Sequence, residues 1–122
     1  MQSLYVIGHD LAGPLKVGIA VDPRQRLRGL QTGNPLPLVL FQVWQTQHPV
    51  RLERLVHTSL RAFSMSGEWF NAPLPCVEQA IRLHAASCAP VKAFPAYVGQ
   101  GDRLPCVRDG VFDAAEYAGL TS

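Results

Sequence analysis

Seven side chains in the first half of this chain of 122 residues could together act on an anion. Tyr5 lies in a first apolar run, "SLYVIG", and Lys16 in a second, "LKVGIAV", two residues before Gly18. Arg24, Arg26 and Arg28 follow at once, and Glu53 and His57 stand four residues apart further on. Side chains alternate faces along a strand, so Tyr5 and Lys16 can share one side of a sheet. A helix that begins straight after the second strand lets Arg26 reach over the same sheet edge, and Gly18 lets the backbone there come close to a ligand. Arginine outnumbers lysine nine to two, and its planar fork of donors suits phosphate better than a lysine point charge. From Arg24 to Arg61 six arginines (Arg24, Arg26, Arg28, Arg51, Arg54, Arg61) meet one acid, Glu53; from Pro73 onward four basic residues meet five acidic ones. That asymmetry points to an anionic ligand held by the middle of the chain, with a solvated helix surface as the plain alternative.

The elements that must position these groups follow from pattern. "SLYVIG" and "LKVGIAV" read as strands joined through the "HDLAGP" turn, a β-hairpin. Asp22 is a good N-cap and Pro23 suits the first helical position. The helix runs to Gln31 with Leu27 and Leu30 inward, and "TGNPLP" stops it. "LVLFQVWQT" is a buried strand. Pro49 then opens "PVRLERLVHTSLRAF", whose Leu52, Leu55, Val56, Ser59, Leu60 and Phe63 recur at helical spacing. Glu53, His57 and Arg61 form a polar line beside that stripe. "EWFNA" is a short strand and "CVEQAIRLHAA" a helix. "FPAYVGQGDRLPCV" reads as a hairpin around Gly99–Asp102, and "DAAEYAGL" as a final short helix. The expected class is α/β in the α+β sense: a small, mainly antiparallel sheet flanked by helices. Residues 1–72 form a β-β-α-β-α-β core, and residues 73–122 a C-terminal extension.

A chain of this length can bury roughly 65 % of its unfolded surface, enough for one core. No apolar run approaches the ~20 residues of a membrane span, so a membrane partner is not expected. "MQSLYVIGHD" lacks the basic start and cleavage site of a secretory signal, which makes the expected location cytoplasmic. Cys76, Cys88 and Cys106 form no C-x-x-C pair and read as reduced thiols. His84 and Cys88 could share a helix face with a metal, yet the paired spacings of a zinc site are missing.

The order and spacing of Tyr5, Lys16-Val17-Gly18, Arg26 and Glu53 resemble the GIY-YIG nuclease superfamily. Ser3-Leu4-Tyr5 stands where that family has its first motif and Lys16-Val17-Gly18 where it has its second. The phage-type subgroup is similar over residues 3–72: "RLRGLQTGNP" at 26–35, Glu53-Arg54-Leu55-Val56-His57, and Gly67-Glu68-Trp69-Phe70 follow in its order. The first motif keeps only its tyrosine, and Lys16 replaces the tyrosine of the second.

The resemblance implies an endonuclease that hydrolyses DNA phosphodiester bonds. Glu53 would hold one Mg²⁺ or Mn²⁺, since a hard cation tolerates a single protein carboxylate when water and substrate oxygens complete its shell. Arg26 would grip the scissile phosphate bidentately, with Arg24, Arg28, Arg54 and Arg61 as further phosphate contacts. Tyr5 would position or deprotonate the attacking water. A phenol of pKa ~10 is a poor base at neutral pH, so Lys16, Arg26 and metal charge are expected to lower it; Lys16 is the alternative base or an electrostatic stabiliser. His57 would reach the same phosphate, and Asn71 and Gly18 would support the site. Glu68, Trp69 and Phe70 are expected to be structural. The partner implied is DNA in a bacterial or phage-infected cell, with a homodimer left open. The competing reading is a catalytically weakened scaffold: a nucleic-acid-binding or phage and mobile-element accessory (anti-defence) protein.

Overall fold

The computed structural model describes residues 2–95, 107–108 and 111–112. Its main body is a five-stranded antiparallel sheet with three helices, an α+β fold. The strands are β1 (Ser3–Gly8), β2 (Leu15–Ala20), β3 (Val39–Thr46), β4 (Trp69–Phe70) and β5 (Val91–Pro95), in the spatial order β4-β2-β1-β3-β5. The helices are α1 (Pro23–Gln31), α2 (Pro49–Ser59) and α3 (Leu74–Ala85). Two further short strands, β6 (Val107–Arg108) and β7 (Val111–Phe112), pair with each other. The tips of the expected hairpin at 99–102 and the expected helix at 113–120 lie outside the described residues. No helix among the described residues is long and apolar enough to cross a membrane.

β1 is the middle strand and is buried along its whole length. Its alternation splits the core in two. Leu4 and Val6 face one layer with Leu15, Val17, Leu52, Val56, Leu60, Leu74, Val77 and Ile81, beneath α2 and α3. Tyr5 and Ile7 face the other, with Ala20, Leu27, Leu38, Leu40 and Val43, beneath α1. β3 serves both layers through an irregularity: Val6 opposes Gln42 but Ile7 opposes Leu40. The extra residue, Phe41, shifts the alternation by one, so Val43 faces the α1 layer and Trp44 the other. A one-residue slip of this kind is what a β-bulge does.

α1 starts as its sequence dictates. Asp22 Oδ1 accepts from the Arg24 and Gln25 N–H groups at 3.1 and 3.2 Å, and Pro23 takes the first helical position. Leu27 is the residue that α1 buries completely, while its arginines stay exposed. The long amphipathic run is α2 followed by a 3₁₀ turn at Arg61–Phe63, so Phe63 is exposed rather than inward. α3 buries Leu74, Val77, Ala80 and Ile81 in the same layer as α2, so the packed unit continues past residue 72. Cys76 and Cys88 are free thiols, Cys88 buried.

Candidate active site

β2 has an incomplete outer neighbour. β4 pairs with it through Leu15–Phe70 and Lys16–Trp69 and then turns away. Backbone groups further along this edge need other partners, because an unpaired buried N–H or C=O is costly. The Val17 N–H donates to the Glu68 carbonyl at 3.1 Å. The Val17 carbonyl accepts from His57 Nε2 at 2.7 Å. The Ile19 N–H bonds the Glu53 carboxylate. Glu53 and His57, one turn apart on α2, thus cap the strand edge that β4 leaves open, and the His57 ring leans on Phe70 with centroids 5.1 Å apart.

Tyr5, Lys16 and Gly18 lie on the α1 side of the same edge. Tyr5 stands opposite Gly18 in the β1–β2 register. Its hydroxyl occupies the space that a side chain at residue 18 would need: a Cβ there would come within 2.5 Å of the Tyr5 oxygen and 2.8 Å of Glu68 Oε2. Lys16 Nζ pairs with Glu68 Oε2 at 3.2 Å and lies 5.9 Å from the centre of the Trp69 ring. The glycine therefore brings two functional side chains over the strand, beyond the ligand approach its type suggests.

The electrostatics tie both sides of the edge together. The Tyr5 phenol is pushed up to about 12, first by burial and then by Glu68, with Glu53 adding to the rise and Arg26 opposing it. Glu53 is held above the usual carboxylate value by burial and by Glu68, against the pull of His57, Lys16 and the Ile19 N–H. Arg26 and Glu53 thus act on one phenol from α1 and α2. Arg26 lowers Tyr5 as expected, but with the protein's own groups alone burial and two carboxylates outweigh that cation. In the metal-free protein this phenol is a hydrogen-bond donor throughout neutral pH.

The T5orf172 domain matches residues 2–85. The chain belongs to the T5orf172 domain family. That domain is associated with GIY-YIG-like, phage nuclease-type proteins. No curated protein and no solved structure matches the chain.

Of the residues singled out from the sequence, this T5orf172 domain gathers Tyr5, Lys16, Gly18, Glu53 and His57 at one sheet edge, while Arg26, exposed on α1, lines a hollow with Ala20 and Val21 and acts on the Tyr5 phenol through its charge. The others stand apart. Arg24 lines a shallow surface hollow with Val21 and Asp22, and Arg54 lines another with His48 and Arg51. Arg28 and Arg61 are exposed, and Asn71 is exposed with its N–H bonded to the Phe63 carbonyl at 2.8 Å. Glu68, expected from the sequence to be structural, stands at the same edge. Its carboxylate pairs with Lys16 and raises both Tyr5 and Glu53. Its position directly before the strand that must pair beside Lys16 was the available signal. Trp69 also departs from a core role: it is only half-buried and lines an open cavity, whereas Phe70 is buried as expected.

Carboxylate oxygens are the donors that a hard divalent cation would need here. Among the described residues no group of three His, Cys, Asp or Glu side chains is placed to hold a metal ion, and the two carboxylates that act on each other at the notch are those of Glu53 and Glu68. Glu53 is raised by the charge of Glu68, and two carboxylates that repel across a half-buried notch are relieved by a cation between them. Mg²⁺ in particular is bound by one or two carboxylates plus water and substrate phosphate.

Proposed function

We propose that this T5orf172 domain is a metal-dependent endonuclease that hydrolyses DNA phosphodiester bonds at the open edge of β2. One observation carries the reading: Tyr5, Lys16, Arg26, Glu53 and His57, drawn from four elements, converge electrostatically on a single strand edge. A structural ion-pair network would not need a buried phenol under the influence of an arginine and two glutamates.

In this reading Glu53, with Glu68 beside it, holds Mg²⁺ or Mn²⁺, which supplies the polarisation of phosphoryl oxygen that the protein's own groups lack. Arg26 grips the non-bridging oxygens of the scissile phosphate and stabilises charge that grows on them. Lys16 adds positive charge once an incoming phosphate competes with Glu68 for its ammonium. Tyr5 orients the attacking water through its hydroxyl, the role its high pKa allows. His57 is a positioning residue: its Nε2 is spent on Val17, and it fixes α2 against the strand that Glu53 caps.

Incubating plasmid and single-stranded DNA with Mg²⁺ or Mn²⁺ tests the reading. The wild-type protein cuts, and Glu53→Ala loses roughly 10²–10³-fold in rate, the cost of removing one strong electrostatic stabiliser. Cleavage that survives in the variant removes the metal assignment. Binding of DNA without cleavage of any substrate favours the weakened-scaffold reading, for which the Lys16–Glu68 pair and the fully protonated Tyr5 are the supporting observations.

A further inference from the structure

A cavity of about 310 Å³ is lined on one side by Trp69, the ring that lies near the Lys16 ammonium. Its walls include the apolar side chains of Leu36, Leu38, Met65 and Trp69 and the polar ones of His9 and Asn34. We propose that this cavity takes one unstacked nucleobase of the DNA strand, adjacent to a phosphate that meets Lys16, so that the substrate is single-stranded or locally opened. The proposal rests on the nuclease reading for the placement of that phosphate.

Position is the first argument. The Trp69 ring that lines the cavity lies 5.9 Å from the Lys16 ammonium, so the cavity adjoins the Lys16 end of the notch. Size is the second. Small-molecule pockets run from about 300 to 1,000 Å³, and this one, at the lower limit, has room for a ring system and none for a peptide or a duplex. Its lining is the third. Leu36 and Met65 are 50 % and 49 % exposed, a wet apolar mouth that suits the face of a base far better than a phosphate.

Hydrogen-bond capacity completes the match. Asn34 Oδ1 accepts from the Leu36 N–H at 3.0 Å, which leaves the amide nitrogen as a donor without a partner among the described residues. His9 Nδ1 donates to the Pro37 carbonyl at 3.1 Å. That bond fixes the tautomer and leaves Nε2 of the neutral ring an acceptor. A donor and an acceptor beside an apolar slot answer the edge of a base, which carries both kinds of group. In a stacked duplex the base faces are covered, so a pocket that reads them requires an extruded or unpaired base.

The test uses the full chain without metal. The protein has two tryptophans; Trp44 is buried and Trp69 is half-exposed, so quenching by added DNA reports chiefly on Trp69. A thymidylate octamer is expected to quench saturably. An abasic octamer with the same phosphates is expected to bind roughly 5- to 150-fold more weakly, the affinity lost with one stacked base. Ser66→Met, which fills the cavity from an exposed turn, and Asn34→Asp, which keeps the Leu36 bond and removes the donor, should each lower thymidylate affinity. Equal binding of the two octamers, or unchanged binding by both variants, overturns the proposal. Cleavage is scored separately: base-dependent quenching without cleavage upholds the pocket and defeats the nuclease reading. Glu53-dependent cleavage with base-independent binding does the reverse.

Discussion

Glu53 carries the most readable consequence at the level of single residues. Its carboxyl is held above the ordinary value of 4.5, chiefly by burial and then by Glu68. The folded state therefore binds this proton more tightly than the unfolded chain does. Stability falls as pH rises from 4.5 through the raised value and is flat above it. Glu53→Gln keeps an acceptor for the Ile19 N–H and removes the charge. It should melt higher than wild type at pH 8, with the gap closing below pH 4.5, as followed by circular dichroism; the reverse order at pH 8 would mean that the charge stabilises the fold. Millimolar Mg²⁺ should raise the wild-type melting temperature by mass action and leave that of Glu53→Gln in place. Arg26→Lys tests the grip on phosphate, since an ammonium cannot reproduce a bidentate fork. Its cleavage rate should drop by roughly 10²-fold while its melting temperature stays near that of wild type, because Arg26 is exposed.

Among the elements, the β1–β2 pair decides whether the notch exists. Gly18 has no need of unusual backbone dihedrals; what it lacks is a Cβ, and the Tyr5 hydroxyl and the Glu68 carboxylate fill that space. Gly18→Ala should therefore destabilise by about 1–3 kcal/mol, the usual cost of overpacking. For a domain near 100 residues that lowers the melting temperature by at least about 4 °C. A rise would show that Tyr5 and Glu68 move aside freely, leaving only the smaller unfolded-state entropy gain. α2 is equally bound to the site, for its Glu53 and His57 repair the edge where β4 is too short. Those two positions were legible as a polar line on a helix. That the line caps a strand was not, because it depends on how soon β4 turns away from β2.

For the molecule as a whole, the division between core and extension is testable. α3 buries Leu74, Val77 and Ile81 against α2 and the sheet. Each such side chain is worth about 1.5–3 kcal/mol when fully buried, so their sum rivals the 5–15 kcal/mol by which a typical domain is stable. A chain ending at residue 72 should fail to melt cooperatively, and one ending at residue 95, with β5 paired to β3, should keep a single transition. Local chemistry determined much by itself: the Asp22-Pro23 helix start, the hairpin and the strand-helix order follow from backbone preference and side-chain periodicity, whereas Tyr5, Lys16, Arg26 and Glu53 were singled out by the resemblance to the GIY-YIG superfamily. The tertiary structure alone decided three matters. It put a bulge at Phe41 within a run too uniformly apolar to reveal its faces. It aimed Glu68 into the notch from the turn before a two-residue strand. It set the burial and the carboxylate neighbours that raise the Tyr5 phenol. Burial and the distance between charges are properties of packing, and spacing along a chain does not encode either.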